Sequence, residues 1–409
     1  MPQFLVYFYH RYLDFRFPEF DAVLKIHGFD DVSHVYTLPD PPVDGTTPTP
    51  FLQITLPSDD VAAKIAARCV LVKGIYTYLA QAPTYDILQD WLVAHGPLHA
   101  DDASWSFWVD CFGAKLSLQD QDTRRLRLTS IEACFPGPVQ LKHAACTYWL
   151  VEEKGTTSAE AASVKQIYFA RELPQAERTA REYVLKHSLK KRKFIGSTSM
   201  DHELSLLMAN LALVQPMSIV CDPFVGTASV LVACAQFGGV CLGGDIDAHA
   251  LRGTVAGVNI FANFDQYNLP PPDLLQWDVS RPVVRPDVAW FDAIICDPPY
   301  GFREKAQAKH ASSASSTAPK SVLLSLLDFA APRLVVGGRL VYVMACQKRM
   351  AADYAAHVPT HGALRMVHLC VQEMTRKWVR LFLTMEKIEV AADAASARIG
   401  AALKDIGEA

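Results

Sequence analysis

Apolar and polar positions follow two different patterns along the chain, and the change from one pattern to the other divides the sequence into regions. Up to about residue 170, β-rich runs such as residues 4–10 mix with helical runs such as residues 17–26. From residue 197 to 390, short apolar runs typical of buried strands alternate with helical segments. The first style is typical of small α+β units. The second favours an α/β domain with a parallel, doubly wound sheet that binds ligands at the carboxyl ends of its strands.

This patterning predicts four segments. They are an N-terminal α+β region over 1–170, a basic linker over 171–196, an α/β domain over 197–390 and a tail over 391–409. The tail is rich in alanine, and we expect a loose helix there. The alanine- and serine-rich stretch 309–321 cannot build a core, so we expect a mobile loop.

Composition narrows the class of protein. Half of the 409 residues are hydrophobic and a fifth are charged, which indicates a globular chain. The net charge is −4, so any contact with a polyanion must be local. The ten cysteines include no Cys-x-x-Cys pair, and we expect neither a disulfide framework nor a metal site. We find no membrane-length apolar run and no signal peptide, and we expect a cytoplasmic protein.

Two groups of basic residues are candidates for contacts with the phosphates of a polyanion. The first comprises Arg124, Arg125 and Arg127, and the second is the run of Lys190, Lys191, Arg192 and Lys193. Clustered cations are what a polyanion requires. A solvated surface or linker would carry the same residues, so the sequence leaves both interpretations open.

The first motif with chemical content runs from Asp222 to Thr227, between a predicted strand and a predicted helix. Gly226 lets the backbone turn tightly and approach a ligand closely. The helix N-terminus offers unpaired N–H groups that suit a carboxylate, and Asp222 can receive an ammonium group. Together these groups match the methionine end of S-adenosylmethionine. An ordinary strand-to-helix turn is the alternative.

Further aspartates follow the next two predicted strands. In the run Gly244-Asp245-Ile246-Asp247, an acidic side chain can accept hydrogen bonds from both ribose hydroxyls of a nucleoside. An aspartate can instead cap the following helix, and we favour Asp245 for the ribose, with Ile246 in the same cofactor site. Asp278 could accept a hydrogen bond from the adenine amino group, although an aspartate in a turn is commoner.

The strongest motif is Asp297-Pro298-Pro299-Tyr300, which ends a predicted strand. The prolines fix the backbone, so a carboxylate, a carbonyl and an aromatic ring share one rigid corner. An exocyclic amine is a poor nucleophile because its lone pair is delocalised into the ring. Asp297 and the Pro298 carbonyl can accept its two hydrogens and localise that lone pair. Tyr300 can stack on the base, a contact worth about 1–3 kcal/mol, once the base has left its own stack. A purely structural turn is the alternative.

Several longer stretches resemble one family. They are Phe17-Pro18-Glu19, residues 194–201, Met208-Ala209-Asn210, residues 222–227 and residues 297–304. On these stretches the chain resembles the catalytic subunit of eukaryotic tRNA (guanine-10-N2)-methyltransferases. The resemblance implies a Rossmann-like class I methyltransferase domain behind an N-terminal ferredoxin-like and THUMP RNA-binding region. Residues 105–153 are similar to the THUMP part.

The resemblance also implies roles for single residues. Thr198 and Ser199 lie in a stretch similar to the motif that covers the methionine end of the cofactor. Cofactor positions are matched by Asp222, Gly226, Thr227, Asp245, Ile246, Asp278 and Asp297, and catalytic positions by Asp297, Pro298 and Tyr300. Ala228 departs from the family pattern, which usually has glycine there. The family further implies tRNA as substrate and a small zinc-binding activator subunit as partner.

The resulting hypothesis is methyl transfer from S-adenosylmethionine to the N2 nitrogen of a guanosine in tRNA, at position 10. Methylation of adenine N6 or of protein glutamine N5 stays open, because a similar Pro-Pro-Tyr corner serves both reactions, often with asparagine in place of Asp297. A third alternative is an RNA-binding scaffold with an inactive methyltransferase fold. The intact Asp222, Asp245 and Asp297 argue against that alternative.

Overall fold

The computed structural model describes most of the chain and divides it into two compact units. The described residues are 1–39, 48–100, 102–128, 134–154, 164–173, 180–253, 255, 257–286, 288–299, 319–350, 353–389 and 397–398. The first unit comprises Met1–Arg11 and His27–Arg181. The second unit comprises Tyr12–Ile26 and Glu182–Ala409.

Strands and helices alternate in both units. The strands are β1 (Gln3–Phe8), β2 (Phe51–Thr55), β3 (Val72–Ala82), β4 (Trp105–Phe112), β5 (Cys146–Lys154), β6 (Val164–Glu172), β7 (Ile219–Asp222), β8 (Val240–Asp245), β9 (Asp273–Gln276), β10 (Phe291–Cys296), β11 (Leu334–Gln347), β12 (Thr360–His361), β13 (Leu364–Glu373), β14 (Trp378–Lys387) and β15 (Ala397–Arg398). The helices are α1 (Arg16–Ile26), α2 (Asp59–Arg68), α3 (Tyr85–His95), α4 (Leu118–Arg125), α5 (Ala180–Lys186), α6 (His202–Leu211), α7 (Ser229–Gln236), α8 (Ala248–Arg252), α9 (Ile260–Tyr267) and α10 (Pro319–Arg333).

A six-stranded sheet in the order β2-β1-β3-β6-β5-β4 organises the first unit. β4 and β5 are parallel, and the other neighbouring pairs are antiparallel. One face packs on α3, with Leu88 and Leu92 buried beside Tyr148 and Phe169. Ser58, Thr84 and Ser117 cap α2, α3 and α4 through their side chains, which satisfies backbone N–H groups at each helix start. The α+β fold expected for the N-terminal region is confirmed.

A nine-stranded sheet organises the second unit, in the order β15-β12-β13-β14-β11-β10-β7-β8-β9. The strands from β11 to β9 are parallel to one another, whereas β14 and β13 are antiparallel to their neighbours. The first strand of this sheet in the chain, β7, lies between β8 and β10, so the strand order reverses there. This arrangement is the doubly wound pattern, and the predicted Rossmann-like fold is confirmed.

The N-terminal helix α1 is part of the second unit, although the sequence division placed it within 1–170. α1 packs on α6, where the Asn210 amide donates a hydrogen bond to Glu19 Oε1 over 2.7 Å, and both side chains are buried. Just before α1, the Phe15 ring packs edge-on against Phe382, with centroids 5.0 Å apart. These partners are far away along the chain, so local patterning carries no signal for the assignment.

Two other expectations meet different structure. Ala397–Arg398 pair with Thr360–His361 as a strand, so the loose helix expected for the tail is wrong at those two residues. Helix α10 begins at Pro319, inside the stretch expected to be a loop. The remainder of that stretch, residues 309–318, and most of the tail lie outside the described residues.

Candidate active site

The aspartates singled out from the sequence lie at or just after the ends of four neighbouring parallel strands, β7, β8, β9 and β10. Ligands of doubly wound sheets bind beyond the carboxyl ends of such strands, where the strand order reverses. In this unit the reversal lies between β7 and β10, whose Cys221 and Ile294 are register partners. The motifs that begin at Asp222 and at Asp297 therefore flank the reversal.

Asp222 is the most buried of these carboxylates, with 2% of its surface exposed. Its Oδ1 accepts a hydrogen bond from the Phe224 backbone N–H over 3.0 Å. Burial raises the pKa of Asp222 well above its ordinary value, and the charges of Asp245 and Asp297 raise it further. Three predicted site carboxylates are thus close enough to interact. A cation beside Asp222 would relieve this repulsion.

The loop after Asp222 is held by left-handed backbone positions. Gly226 has a φ of +47°, and its N–H donates to Asp245 Oδ2 over 2.8 Å, which ties the loop to the end of β8. Ala228 has a φ of +59° and is fully buried immediately before α7. A side chain at such a backbone angle is strained, so the family preference for glycine at this position has a physical reason.

The two aspartates at the end of β8 and just after it, Asp245 and Asp247, accept different hydrogen bonds. Asp247 caps α8 by accepting from the His249 backbone N–H over 2.8 Å. Asp245 accepts one backbone N–H on each oxygen, from Gly226 at 2.8 Å and from Asp247 at 2.9 Å. Since a carboxylate oxygen has two lone pairs, Asp245 keeps acceptor capacity for ribose hydroxyls. Burial raises the pKa of Asp245. The neighbouring Ile246 side chain is 67% exposed.

Next to Asp245, the backbone of Gly244 packs directly against the indole ring of Trp277. A Cβ built on Gly244 would overlap the Trp277 ring, so only glycine fits there without a shift. The next residue, Asp278, accepts from the backbone N–H and the hydroxyl of Ser280, both over 2.8 Å through Oδ1. These hydrogen bonds lower the pKa of Asp278. Asp278 thus stabilises a turn, and its contact with adenine stays a prediction.

A series of hydroxyls lines the start of α7. Ser199 Oγ accepts from the Gly196 backbone N–H over 2.8 Å and lies 2.7 Å from Thr227 Oγ1. Thr227 Oγ1 lies a further 3.4 Å from the Ser229 hydroxyl. Ser199 and Thr227 are half-buried, whereas Thr198 is exposed. The two predicted cofactor residues Ser199 and Thr227 are therefore brought together.

The predicted base corner follows β10. Asp297 is half-buried and Pro298 is buried. Tyr300 and the residues up to 304 lie outside the described residues, so the stacking role of Tyr300 stays a prediction.

The predicted RNA contacts differ in their surroundings. Arg124 pairs with the buried Glu152 over 2.8 Å, and Arg125 pairs with Asp122. Lys190, Lys191 and Lys193 are exposed, whereas Arg192 is buried. Their backbone is tied to α9, because the Lys193 N–H donates to the Gln266 side chain, whose amide donates to the Lys191 carbonyl. The backbone that carries the exposed lysines is therefore fixed by hydrogen bonds, and the Arg192 side chain points into the protein.

The described residues offer neither a metal site nor a membrane span. These contain no group of three or more His, Cys, Asp or Glu side chains placed to hold a metal ion. None of the described helices is both long and apolar enough to cross a bilayer.

Comparison with known proteins gives one family model, two relatives and one solved structure. The family model described as the Tmrp11 THUMP N-terminal domain matches residues 2–178. The chain is 32% identical to tRNA (guanine(10)-N(2))-methyltransferase TRMT11 from Homo sapiens, covering 95% of this chain and 88% of the human protein. It is 30% identical to tRNA (guanine(10)-N(2))-methyltransferase from Saccharomyces cerevisiae, covering 94% and 92%. The crystal structure of TrmN from Thermus thermophilus aligns with 17% identity and a TM-score of 0.46, covering 94% of this chain and 100% of that chain.

The strand order of the second unit and the aspartates at its strand ends define a Rossmann-like methyltransferase, and the N-terminal region is of the THUMP-containing type. By its identity with the human and yeast proteins, the chain belongs to the tRNA (guanine(10)-N(2))-methyltransferase family. The resemblance seen in the sequence is thereby confirmed. The roles of the individual site residues stay predictions.

Proposed function

We propose that this protein transfers a methyl group from S-adenosylmethionine to the exocyclic N2 nitrogen of a guanosine in tRNA, at position 10. The activity named for its human and yeast relatives supports this substrate and this atom. The observation that carries the proposal is the placement of Asp222 and Asp297 at the ends of adjacent parallel strands, close enough to interact electrostatically.

The residues around Asp222 fit the methionine end of S-adenosylmethionine. Asp222 is buried and repelled by two other carboxylates, so an ammonium group is a matching ligand for it. The N-terminus of α7 and the Thr227 hydroxyl suit a carboxylate. Asp245 would accept the ribose hydroxyls, with Ile246 beside them. When bound, the cofactor supplies a methyl group carried on a positively charged sulfur.

Asp297 and Pro298 would prepare the acceptor nitrogen. The Asp297 carboxylate and the Pro298 carbonyl would accept the two hydrogens of the guanine amine, which turns the nitrogen lone pair out of conjugation with the ring. Asp297 would also accept the proton that the nitrogen loses when it takes the methyl group, whose bond to the cofactor sulfur breaks and leaves a neutral thioether. Holding the amine in line with the methyl group supplies most of the rate enhancement. By resemblance, Tyr300 would stack on the extruded base.

A pair of tRNAs that differ in one amino group tests the proposal. The protein, together with its partner subunit, is incubated with labelled S-adenosylmethionine and a tRNA carrying guanosine at position 10, or the same tRNA carrying inosine there. Inosine lacks only the N2 amine, so we expect label in the first tRNA alone. Equal labelling of both would disprove the assigned atom. Label in a protein substrate but in neither tRNA would favour the glutamine alternative.

We further propose that the chain acts in the cytoplasm with a small zinc-binding activator subunit. The family resemblance supports this partner. Co-expression followed by size-exclusion chromatography with light scattering should give the mass of a heterodimer. Two separate peaks would contradict the partnership. Localisation of the tagged protein in intact cells tests the compartment.

A further inference from the structure

Arg192, within the basic run, is buried next to Ser229, the first residue of α7. Only 6% of its surface is exposed. Its Nη1 donates to Ser229 Oγ over 2.9 Å, and its Nη2 donates to the His187 carbonyl over 3.1 Å. The guanidinium carbon lies 5.9 Å from the centroid of the Tyr267 ring. In the described part of the chain, its Nε has no hydrogen-bond partner.

The charge of Arg192 lacks a direct counter-ion. The structure gives it no salt bridge with any described residue, although a buried cation is costly unless it is paired. Burial lowers the pKa of Arg192, whereas the Tyr267 hydroxyl and, after it, the charge of Asp201 raise it. The Asp201 carboxylate is itself engaged at the start of α6, where it accepts the backbone N–H groups of Glu203 and Leu204. A buried positive charge without a direct counter-ion therefore lies next to the start of α7.

Ser229 lies between this cation and the hydroxyls of the candidate cofactor site. Because Ser229 Oγ accepts a hydrogen bond from Arg192, its own hydrogen is directed to another acceptor. Thr227 Oγ1 lies 3.4 Å away and is in turn 2.7 Å from Ser199 Oγ. Thr227 and Ser199 are half-buried, so the series runs from the buried cation to groups that a ligand can reach. An anion at the start of α7 would complete it.

We propose that Arg192 is a positioning residue that sets the affinity for the carboxylate of the cofactor. Arg192 orients the Ser229 hydroxyl toward the start of α7, and its charge acts on the carboxylate through that hydroxyl without touching it. This inference rests on the proposed use of S-adenosylmethionine. The inference gives Arg192 a different role from the exposed Lys190, Lys191 and Lys193, which stay candidates for contacts with RNA.

Two ligands that differ only in the carboxylate test the role. S-Adenosylhomocysteine carries the carboxylate, and S-adenosyl-3-thiopropylamine is the same molecule without it. By calorimetry on the complete protein, Arg192→Gln should weaken S-adenosylhomocysteine about tenfold, as expected for a loss of about 1.4 kcal/mol. The decarboxylated ligand should bind within about twofold of wild type. Arg192→Lys keeps the charge but not the planar fork and should fall between the two.

Ser229→Ala provides a second variant in case Arg192→Gln does not fold. It removes the intermediate hydroxyl while leaving the cation, and it should also weaken S-adenosylhomocysteine selectively. The matched control is Lys190→Gln, an exposed neighbour that should change neither affinity. Equal weakening of both ligands by Arg192→Gln and Ser229→Ala, or no weakening of either, would overturn the inference. If wild-type protein bound neither ligand, the proposed cofactor itself would be wrong, which is a distinct result.

Discussion

Ala228 has a backbone conformation at the start of α7 that is unfavourable in free energy. It has φ +59° and ψ +29°, a left-handed conformation that costs an L-residue about 1–2 kcal/mol. Glycine would adopt it without that cost, although glycine also loses more conformational freedom on folding. From the sequence, Ala228 is visible only as a departure from the family pattern. The angle that explains the pattern comes from the structure.

We expect Ala228→Gly to leave stability unchanged or raise it by up to about 1 kcal/mol, because relief of the backbone strain offsets the entropy cost. The matched control is Ala233→Gly in the regular interior of α7, which should lose about 1 kcal/mol. Chemical denaturation of both variants measures the difference. Equal losses in the two variants would contradict strain at residue 228.

Replacement of Asp297 should separate catalysis from cofactor binding. Without the carboxylate, the amine lone pair stays delocalised and the proton lacks an acceptor, so Asp297→Ala should lower kcat about 100-fold or more. The affinity for S-adenosylhomocysteine should change little, whereas Asp222→Ala should weaken it. Single-turnover methylation and calorimetry give the two quantities. Unchanged turnover in Asp297→Ala would remove Asp297 from the mechanism.

The sequence predicted the positions of the candidate aspartates in the fold better than it predicted the surroundings of the basic residues, for a physical reason. Asp222, Asp245 and Asp297 each end or follow a short apolar run, and such runs mark buried strands whose ends meet at one edge of a sheet. Arg192 has the same local surroundings as Lys191, and only packing against α7 and α9 distinguishes them. Sequence patterning cannot resolve which member of a charged run turns inward.

At the scale of elements, α5, α7 and α9 meet at His187, the first residue after α5. The His187 Nε2 lies 2.8 Å from Gln236 Oε1 at the end of α7, and the ring packs edge-on against Tyr267 of α9. The pKa of His187 is lowered to about 4, mainly by burial, with the hydrogen bond to Gln236 opposing the shift and the charges of Lys186, Arg192 and His202 adding to it. The folded state therefore holds a neutral imidazole.

This histidine predicts a pH dependence of stability. The unfolded chain protonates His187 near pH 6.5, whereas the folded chain resists protonation down to about pH 4. Its contribution is complete above pH 6.5 and is lost as the pH falls toward 4. The stability advantage of wild type over His187→Gln should shrink over this range by on the order of 1–3 kcal/mol.

Urea denaturation at several pH values measures that difference, with the exposed His249→Gln as control. Comparison with a variant is needed because the raised pKa of the buried Asp222 acts in the opposite direction as the pH falls. A wild-type advantage over His187→Gln that stays constant from pH 7 to pH 4 would contradict the assignment.

Elements were predicted best where burial is uniform. The strand predicted just before Asp297 is β10, whose residues are nearly all buried. β11 runs over Leu334–Gln347, and Gly337 and Gly338 interrupt its apolar run near the beginning, so the sequence pattern marks only the later part of the strand clearly. The two-residue strand β15 exists only by pairing with β12, and no local pattern indicates it.

At the scale of the whole molecule, the two units are interleaved along the chain. β1 belongs to the first unit, α1 to the second, and the chain then returns to the first unit at His27. Glu19 and Asn210, which join α1 to α6, are separated by 191 positions. The family stretches Phe17-Pro18-Glu19 and Met208-Ala209-Asn210 are thus two halves of one contact. The four-segment division of the sequence did not contain this connection.

A double-mutant cycle tests the contact between these halves. Glu19→Ala and Asn210→Ala should each destabilise the protein, and the coupling between them should lie at about 0.5–3 kcal/mol, because each change leaves the other side chain buried without this partner. Denaturant unfolding of wild type, both single variants and the double variant gives the coupling. A value near zero would mean that the two residues contribute independently.

The early position of α1 also constrains synthesis on the ribosome. At about 5–20 residues per second, the 191 positions between Glu19 and Asn210 take roughly 10–40 s to translate. Throughout that delay the apolar side of α1 has no docking partner, while the strands around it are already being made. We therefore expect temporary contacts or a chaperone to cover this helix until α6 has been synthesised and the methyltransferase domain can fold.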